Sequence, residues 1–140
     1  MSTPPTSPSV VLLTVAHRIE AELAAVLAPL GLTVSRLGLL GHISGVPGAS
    51  FSELARMSRI SVQSVHTAVK TLAAAGLVRD GTARAGAAST IELTPEGARL
   101  LREAMAAVDA VDTQLFGRDA DPALRLIGDA VRTAFAGPQT

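Results

Sequence analysis

The sequence predicts a mainly α-helical fold that carries one small β-hairpin. Apolar residues recur at helical spacing through most of the chain, and only two short stretches, 77–79 and 90–93, have a β-type pattern. Hydrophobic residues make up 48% of the sequence but aromatic residues only 2%. The core must therefore be built from Ala, Leu and Val, which favours closely packed helices. A length of 140 residues fits one domain.

The N-terminal part predicts a tail followed by a helix. Residues 1–9 are polar and rich in proline, and we expect them to be disordered. Residues 10–28 have the spacing of an amphipathic helix, and Pro29 bounds it. The residues predicted to face inward are Leu12, Val15, Ile19, Leu23 and Val26.

A second helix is predicted from Val34 to about Ile43, because Thr33 is a good N-cap and apolar residues follow it at helical spacing. Gly38 and Gly41 weaken this helix, since glycine is a poor helix former. Their missing side chains leave space beside the helix. That space indicates either a pocket or a place where another helix packs closely.

The middle of the chain predicts two short helices joined by a tight turn. Ser50 and Glu53 have the spacing of a capping box, which fixes the start of the first helix. The turn falls at residues 58–60. Ser61 can cap the second helix, and Gly76 suits the left-handed position just after its end.

The second of these helices has two chemically different faces. One face is apolar at helical spacing and consists of Val65, Ala68, Val69 and Leu72. The opposite face offers hydrogen-bonding groups and one cation, from Gln63, Ser64, His66, Thr67 and Lys70. Such a helix, at the end of a helix-turn-helix, is typical of one that enters the DNA major groove.

A hairpin and two further helices follow. The two β-type stretches flank a segment rich in Gly, Ala and Arg, and a hairpin directly after a recognition helix is a wing. Thr94-Pro95 starts a helix that runs to about Phe116, and Asp121-Pro122 starts the last one, since each pair combines an N-cap with a proline at the first helical position.

The fold class predicted from these elements is a winged helix-turn-helix with N- and C-terminal dimerisation helices. Residues 10–136 form the domain, and residues 51–93 form its DNA-binding lobe. The helices at 10–28 and 95–136 are more apolar than a small winged helix needs. We expect them to pair with a second copy of the chain. The alternative is that they fold back onto the lobe of their own chain.

The charge distribution fits a polyanionic partner. Net charge is zero, but residues 51–90 carry five cations and two anions, whereas residues 91–140 carry five cations and eight anions. Positive charge is thus concentrated in the segment predicted to read DNA. The alternative is a chance imbalance in a small domain.

Several classes of protein are disfavoured. The chain has no cysteine, which excludes disulfides and thiolate metal sites. The apolar run at 10–15 is short and meets His17 and Arg18, so we expect neither a signal peptide nor a membrane span, and a cytoplasmic location. Gly-x-Ser-x-Gly, Walker A and His-Glu-x-x-His patterns are absent. We therefore expect no enzyme, no catalytic residues and no cofactor.

Three segments resemble the multiple antibiotic resistance regulator (MarR) family of bacterial winged-helix repressors. They are LTVSRLGLLGHI (32–43), ELARMSRISVQSVHTAVKTLAAAGLV (53–78) and LTPEGARLL (93–101). The family's usual run, Leu-Ala-x-x-x-x-Val-Ser-x-x-Thr-Val-x-x-x-Val-x-x-Leu-x-x-x-Gly-Leu-Val, fits from Leu54 to Val78 without a gap. Ile60 stands at its first Val and Ser64 at its Thr. With the order of helices, the resemblance covers about residues 10–136.

The resemblance implies a homodimeric repressor that binds a palindromic site in double-stranded DNA and is released by a small-molecule effector. Recognition helices would enter successive major grooves, and wings would reach the flanking minor grooves. Carried over by position, the residues facing DNA are Ser61, Val62, Gln63, Ser64, His66, Thr67 and Lys70. Gln63 could contact an adenine through two hydrogen bonds. Lys70 would meet a phosphate.

The chain departs from the family pattern at two places. Val62 stands where the family often has Arg, so we expect apolar contact with a thymine methyl group in place of a guanine contact. The Asp-Arg-Arg cluster of the wing is missing near residues 85–87, and only Arg79 and Arg84 remain nearby. We expect weaker DNA binding with a shallower salt dependence. An alternative function is a protein-interaction module with reduced DNA affinity.

Family members often bind an aromatic anion between the DNA lobe and the dimer helices. The polar groups that could pair with such an effector here are His17, Arg18, Arg36 and His42. The alternative interpretation leaves the first two at the solvent edge and His42 as a hydrogen-bonded core residue. His17, His42 and Glu20 or Glu22 could also meet around zinc, as in a metal-responsive regulator. We predict no metal, since no His-x-x-x-His spacing is present.

Overall fold

The computed structural model describes residues 6–81 and 90–137 and has the predicted mainly helical architecture with one antiparallel hairpin. In chain order the elements are α1 (Pro8–Leu27), a 3₁₀ turn (Ala28–Leu30), α2 (Val34–Gly45), α3 (Phe51–Ser58), α4 (Val62–Ala74), β1 (Val78–Asp80), β2 (Ile91–Leu93), α5 (Pro95–Phe116) and α6 (Pro122–Ala134). The chain divides into two units, 1–104 and 105–140.

The helix starts follow from local capping. The hydroxyl oxygens of Thr33 and Ser50 accept hydrogen bonds from the backbone N–H three residues later, each at 3.1 Å. Asp121 accepts from the N–H of Ala123 at 2.8 Å, as its position before a proline predicts. Ser7 caps α1, so this helix begins at Pro8, two residues before the predicted start. The rest of the predicted tail, residues 1–5, lies outside the described residues.

The first unit holds a continuous apolar core between α2, α3, α4 and the hairpin. No charged or polar side chain of the described residues is buried in it. The inward face predicted for α4 is confirmed for Val65, Val69 and Leu72, which are at most 5% exposed, whereas Ala68 is only partly buried. The largest fully buried side chains of this unit are Leu27, Leu40, Ile43, Leu54, Val65, Leu72 and Ile91.

The hairpin is tied to the helices on both sides. Val78 pairs with Leu93 and Asp80 with Ile91, and a single bridge from Ala49 to Ile91 adds a third short segment that the sequence pattern did not predict. The hydroxyl of Thr94 donates to the Gly76 carbonyl at 2.6 Å and accepts from the N–H of Gly97 at 3.0 Å. One side chain thus joins the end of the recognition helix to the start of α5.

The terminal helices leave apolar side chains in solvent. In α1 the predicted inward face is only partly correct. Val15, Ile19, Leu23 and Val26 are partly buried, but Leu12 is 53% exposed because no described segment of the chain covers the N-terminal half of this helix. In the second unit Val111 and Leu115 are buried, and Gly128 of α6 packs on the Phe116 ring. The exposed apolar residues there are Met105, Leu126, Val131 and Phe135.

Within the described residues, no single helix combines the length and apolarity needed to cross a bilayer. The segments Pro8–Leu30 and Val34–Gly45 meet these requirements only when they are taken together as a pair bent by 73°.

Candidate nucleic-acid interface

The predicted helix-turn-helix is formed by α3, a tight turn and α4. Arg59 in the turn has φ = +56°, a left-handed conformation that ends α3. Ser61 then caps α4, because its Oγ accepts from the N–H of Ser64 at 3.0 Å. Gly76, with φ = +78°, ends α4 where the sequence predicted. The geometry of this unit therefore comes from caps that the sequence itself specifies.

The outward face of α4 carries the predicted DNA-reading side chains, and all of them are exposed. Val62, at the first turn, is 42% exposed, so its methyl groups are free to contact another molecule. The amide of Gln63 has no hydrogen-bond partner among the described residues. The remaining members of the predicted set are Ser61, Ser64, His66, Thr67 and Lys70.

The hydroxyl groups on this face are partly committed to the protein. The Oγ atoms of Ser61 and Ser64 lie 2.8 Å apart, so one donates to the other. Thr67 donates its hydroxyl hydrogen to the Gln63 carbonyl at 3.1 Å. Ser61 thus contributes mainly to capping, whereas Gln63 keeps its full hydrogen-bonding capacity for a base edge.

His66 stacks on an aromatic ring that the sequence pattern did not connect with the site. The rings of His66 and Phe51 have centroids 3.8 Å apart and an interplanar angle of 21°. The stack holds the imidazole against the start of α3 and restricts its orientation. Phe51 is one of only three phenylalanines in the chain. The scarcity of aromatic residues was the only feature of the sequence that could have drawn attention to Phe51.

The base of the wing has less free positive charge than the sequence suggested. Arg79 and Glu92 are cross-strand partners in the hairpin, and their side chains form an ion pair at 3.4 Å. The Arg79 and Glu92 side chains are 64% and 43% exposed, so the pair contributes little to stability. Glu92 nevertheless offsets the charge that Arg79 would bring to DNA. Arg84 and residues 85–87 lie outside the described residues.

Two clefts run along the sides of α4. The first, of about 350 Å³, separates α4 from the start of α2 and is lined by Thr33, Ser35, Arg36, Gln63, Ser64, Thr67, Ala68 and Thr71. The second, of about 500 Å³, lies on the side of α3 and β1 and is lined by Phe51, Gln63, His66, Thr67, Val69, Lys70, Ala73 and Asp80. Gln63 and Thr67 border both clefts and therefore mark the ridge between them.

The four residues predicted to bind an effector are not brought together. His17 and Arg18 are exposed on α1, whereas Arg36 and His42 are half-buried on α2 and line different clefts. His42 is therefore not the core residue of the alternative interpretation. It borders a cleft of about 180 Å³ together with Ser58, whose Oγ is buried without a hydrogen-bond partner in the described structure.

The glycines of α2 mark open space. A Cβ atom added at Gly38 or Gly41 would meet nothing within 4 Å, so neither glycine serves close helix packing within the described chain. Gly38 lines the small cleft beside His42. Of the two interpretations drawn from the sequence, this favours the pocket. Among the described residues, no three His, Cys, Asp or Glu side chains are grouped as metal ligands would be.

A capped helix-turn-helix with an exposed hydrogen-bonding face, followed directly by a hairpin, defines the winged helix-turn-helix class of DNA-binding proteins.

Comparison with known proteins places the chain within that class. A MarR family model matches residues 30–86. The HTH-type transcriptional repressor Rv2887 of Mycobacterium tuberculosis is 34% identical over 108 residues, which cover 76% of this chain and 78% of the repressor. The crystal structure of Rv2887 in complex with DNA superposes with a TM-score of 0.79 at 28% identity, covering 94% of this chain and 100% of that one. The Rv2887 complex with salicylic acid gives a TM-score of 0.71 at 29% identity, with coverage of 94% and 98%.

The chain belongs to the MarR family and is a DNA-binding transcriptional regulator.

Proposed function

We propose that this protein is a cytoplasmic, homodimeric repressor that binds a palindromic operator and is released from it by a small anionic molecule. It acts by binding alone and catalyses no reaction. The observation that carries the proposal is α4, which buries Val65, Val69 and Leu72 on its apolar face and exposes hydrogen-bonding groups on the other, among them the unpaired amide of Gln63. The relative Rv2887 supports it, since it is named a repressor and has been crystallised with DNA.

The dimer is proposed from the apolar side chains that the single chain leaves in solvent. Val10, Leu12 and Leu13 of α1 are each more than half exposed, as are Leu126 and Phe135 of α6. Within α1 alone, Val10, Leu12 and Leu13 follow one another closely, and exposed apolar residues clustered in this way are typical of surfaces that another protein covers. A two-fold symmetric dimer would present two α4 helices, and such a dimer reads a site whose two halves repeat in opposite directions.

The effector is proposed to be a small aromatic carboxylate. Support comes from Rv2887, which has been crystallised with salicylic acid. In this chain the support is His42, which is half-buried beside a cleft of about 180 Å³ that Ser58 also lines. His17 and Arg18 are exposed and would need the second chain to enclose them.

The test is a selection of random duplex DNA on the purified protein at two salt concentrations. We expect a palindromic consensus with half-sites about one helical turn apart, and loss of binding when salicylate is added. Enrichment without palindromy would contradict the dimeric arrangement. DNA binding that salicylate leaves unchanged would contradict this class of effector.

A second candidate function is a protein-interaction module that has kept the fold with reduced DNA affinity. The specific observation in its favour is the ion pair between Arg79 and Glu92, which offsets a cation at the wing. Failure to enrich any duplex at low salt, with and without salicylate, would favour this second function over the first.

A further inference from the structure

The cleft between α2 and α4 contains a cation that the helix-turn-helix pattern did not assign to DNA. Arg36 is half-buried on the α2 side of this cleft, and Gln63 and Thr67 lie on the α4 side. Its guanidinium group is the only charged group that the described residues contribute to the lining. Among residues 6–81 and 90–137 this group has no ion-pair or hydrogen-bond partner, whereas Arg79, Arg99 and Arg132 are each paired with a carboxylate.

The cleft also holds neutral donors that remain available. The hydroxyl hydrogens of Thr67 and Thr71 are committed to carbonyl oxygens of their own helix. The hydroxyl of Ser35 and the amide of Gln63 have no partner within the described part of the chain. Together with the guanidinium of Arg36 they form a group of donors with no carboxylate beside it, which suits an anionic oxygen.

The position of the cleft relative to α4 indicates where that oxygen comes from. A helix in the major groove has a sugar–phosphate backbone on each side, because the groove is only about 12 Å wide. Lys70 borders the cleft on the α3 side, which also contains the carboxylate of Asp80. Arg36 borders the cleft on the α2 side, where none of the described lining residues is acidic.

We propose that Arg36, assisted by the hydroxyl of Ser35, binds a phosphate of the DNA backbone beside α4, so that the DNA interface extends from the helix-turn-helix onto α2. The proposal rests on the DNA-binding function proposed above. In this chain Val62 in the first turn of α4 is uncharged, and Arg79 in the wing is paired with Glu92. A phosphate contact by Arg36 would add positive charge to the interface that these two positions do not supply. Arg36 thereby changes from an effector contact, as predicted from sequence, to a DNA contact.

The experiment compares the full-length protein with R36A, R36K and S35A on the selected operator and on an unrelated duplex, at a series of salt concentrations. R36A should weaken binding to both duplexes by about fivefold or more near physiological salt. It should also lower the slope of log K against log salt by about 1 for each phosphate that the protein no longer neutralises. R36K should keep the slope, because it keeps the charge. S35A should weaken binding without changing the slope.

The matched control is R102A, which removes an exposed cation of the same type from α5, where it lines neither cleft. K70A and the double variant R36A/K70A test whether the two sides of α4 contribute independently, in which case the slope changes add. Thermal unfolding of each variant separates loss of folding from loss of binding. R36Q is included because it removes the charge but keeps much of the aliphatic stem.

Three results would overturn the phosphate contact and leave the regulator function standing. R36A could keep the wild-type slope, lose no more DNA affinity than R102A, or lose affinity for only one of the two duplexes. Wild-type protein that binds no duplex would instead overturn the function. The other source of an anionic oxygen is a free ion. Saturable binding of inorganic phosphate that R36A abolishes, with DNA affinity unchanged, would assign the cleft to that ion and reject the proposal.

Discussion

Helices α4 and α6 are both amphipathic, but only α4 has most of its apolar face covered by other described residues. In α4 the apolar face is covered by the core of the first unit, with Val65 fully buried and Leu72 2% exposed. In α6, Val131 on the apolar face is 52% exposed, and Phe135, which follows the last helical residue, is 82% exposed. The apolar face of α4 is thus covered within its own unit, whereas the described residues leave the C-terminal end of the apolar face of α6 exposed. The difference separates residues that determine folding of the lobe from residues that determine assembly.

The largest expected effect is on folding of the lobe. Leu72→Ala should lower the free energy of unfolding by about 2–5 kcal/mol, because it removes a buried side chain and leaves a cavity. Leu126→Ala removes the same atoms from an exposed position, and in a dilute, monomeric sample it should cost less than about 1 kcal/mol. Urea denaturation at low protein concentration measures both. Equal losses for the two variants would contradict this separation of folding from assembly.

Dimer formation, in contrast, should depend on the exposed apolar end of α6 and not on the lobe. Phe135→Glu should raise the dissociation constant of the proposed dimer, since burial of one such side chain contributes about 1.5–3 kcal/mol. Val46→Glu, at a position of the lobe that is 41% exposed, is the matched control and should leave the dimer intact. Sedimentation over a range of protein concentrations reports both. A wild-type protein that remains monomeric at high concentration would contradict the proposed dimer.

The outward face of α4 should affect DNA recognition and nothing else. Gln63→Ala should weaken binding to the selected operator by about 1–3 kcal/mol and reduce discrimination against other sequences, because the variant can no longer hydrogen-bond to a base edge. Gln114→Ala removes an exposed amide from α5 and serves as the control. Competition between operator and unrelated duplex is the measurement. An operator affinity equal to that of wild type would remove Gln63 from the set of base-reading residues.

Alanine substitutions at two glycines of the first unit should change the stability of the lobe in opposite directions. A Cβ at Gly97 would overlap the Leu77 carbonyl, so Gly97→Ala should destabilise the lobe by about 1–3 kcal/mol. A Cβ at Gly38 meets open space within a helix, so Gly38→Ala should stabilise it by about 0.5–1 kcal/mol. Thermal unfolding of both variants shows whether each substitution stabilises or destabilises the protein. A destabilising Gly38→Ala would indicate that a second chain packs closely against α2.

Local signals predicted most of the lobe. Ser50, Thr33 and Ser61 each cap the helix that the sequence assigned to them, and the polar face of α4 is exposed as predicted. These predictions succeeded because a cap and an amphipathic face depend on residues within a few positions of one another. The same reasoning failed for Leu12, since a helical pattern identifies an apolar face without showing what covers it.

The sequence by itself determined the class of protein, the order of its helices and the side chains that α4 presents. Only the tertiary structure decided which distant residues these side chains meet. It stacked His66 on Phe51, paired Arg79 with Glu92 and placed Arg36 beside Gln63. Each of these pairs joins residues more than ten positions apart. Such contacts depend on how whole elements pack, and no local periodicity or spacing encodes them.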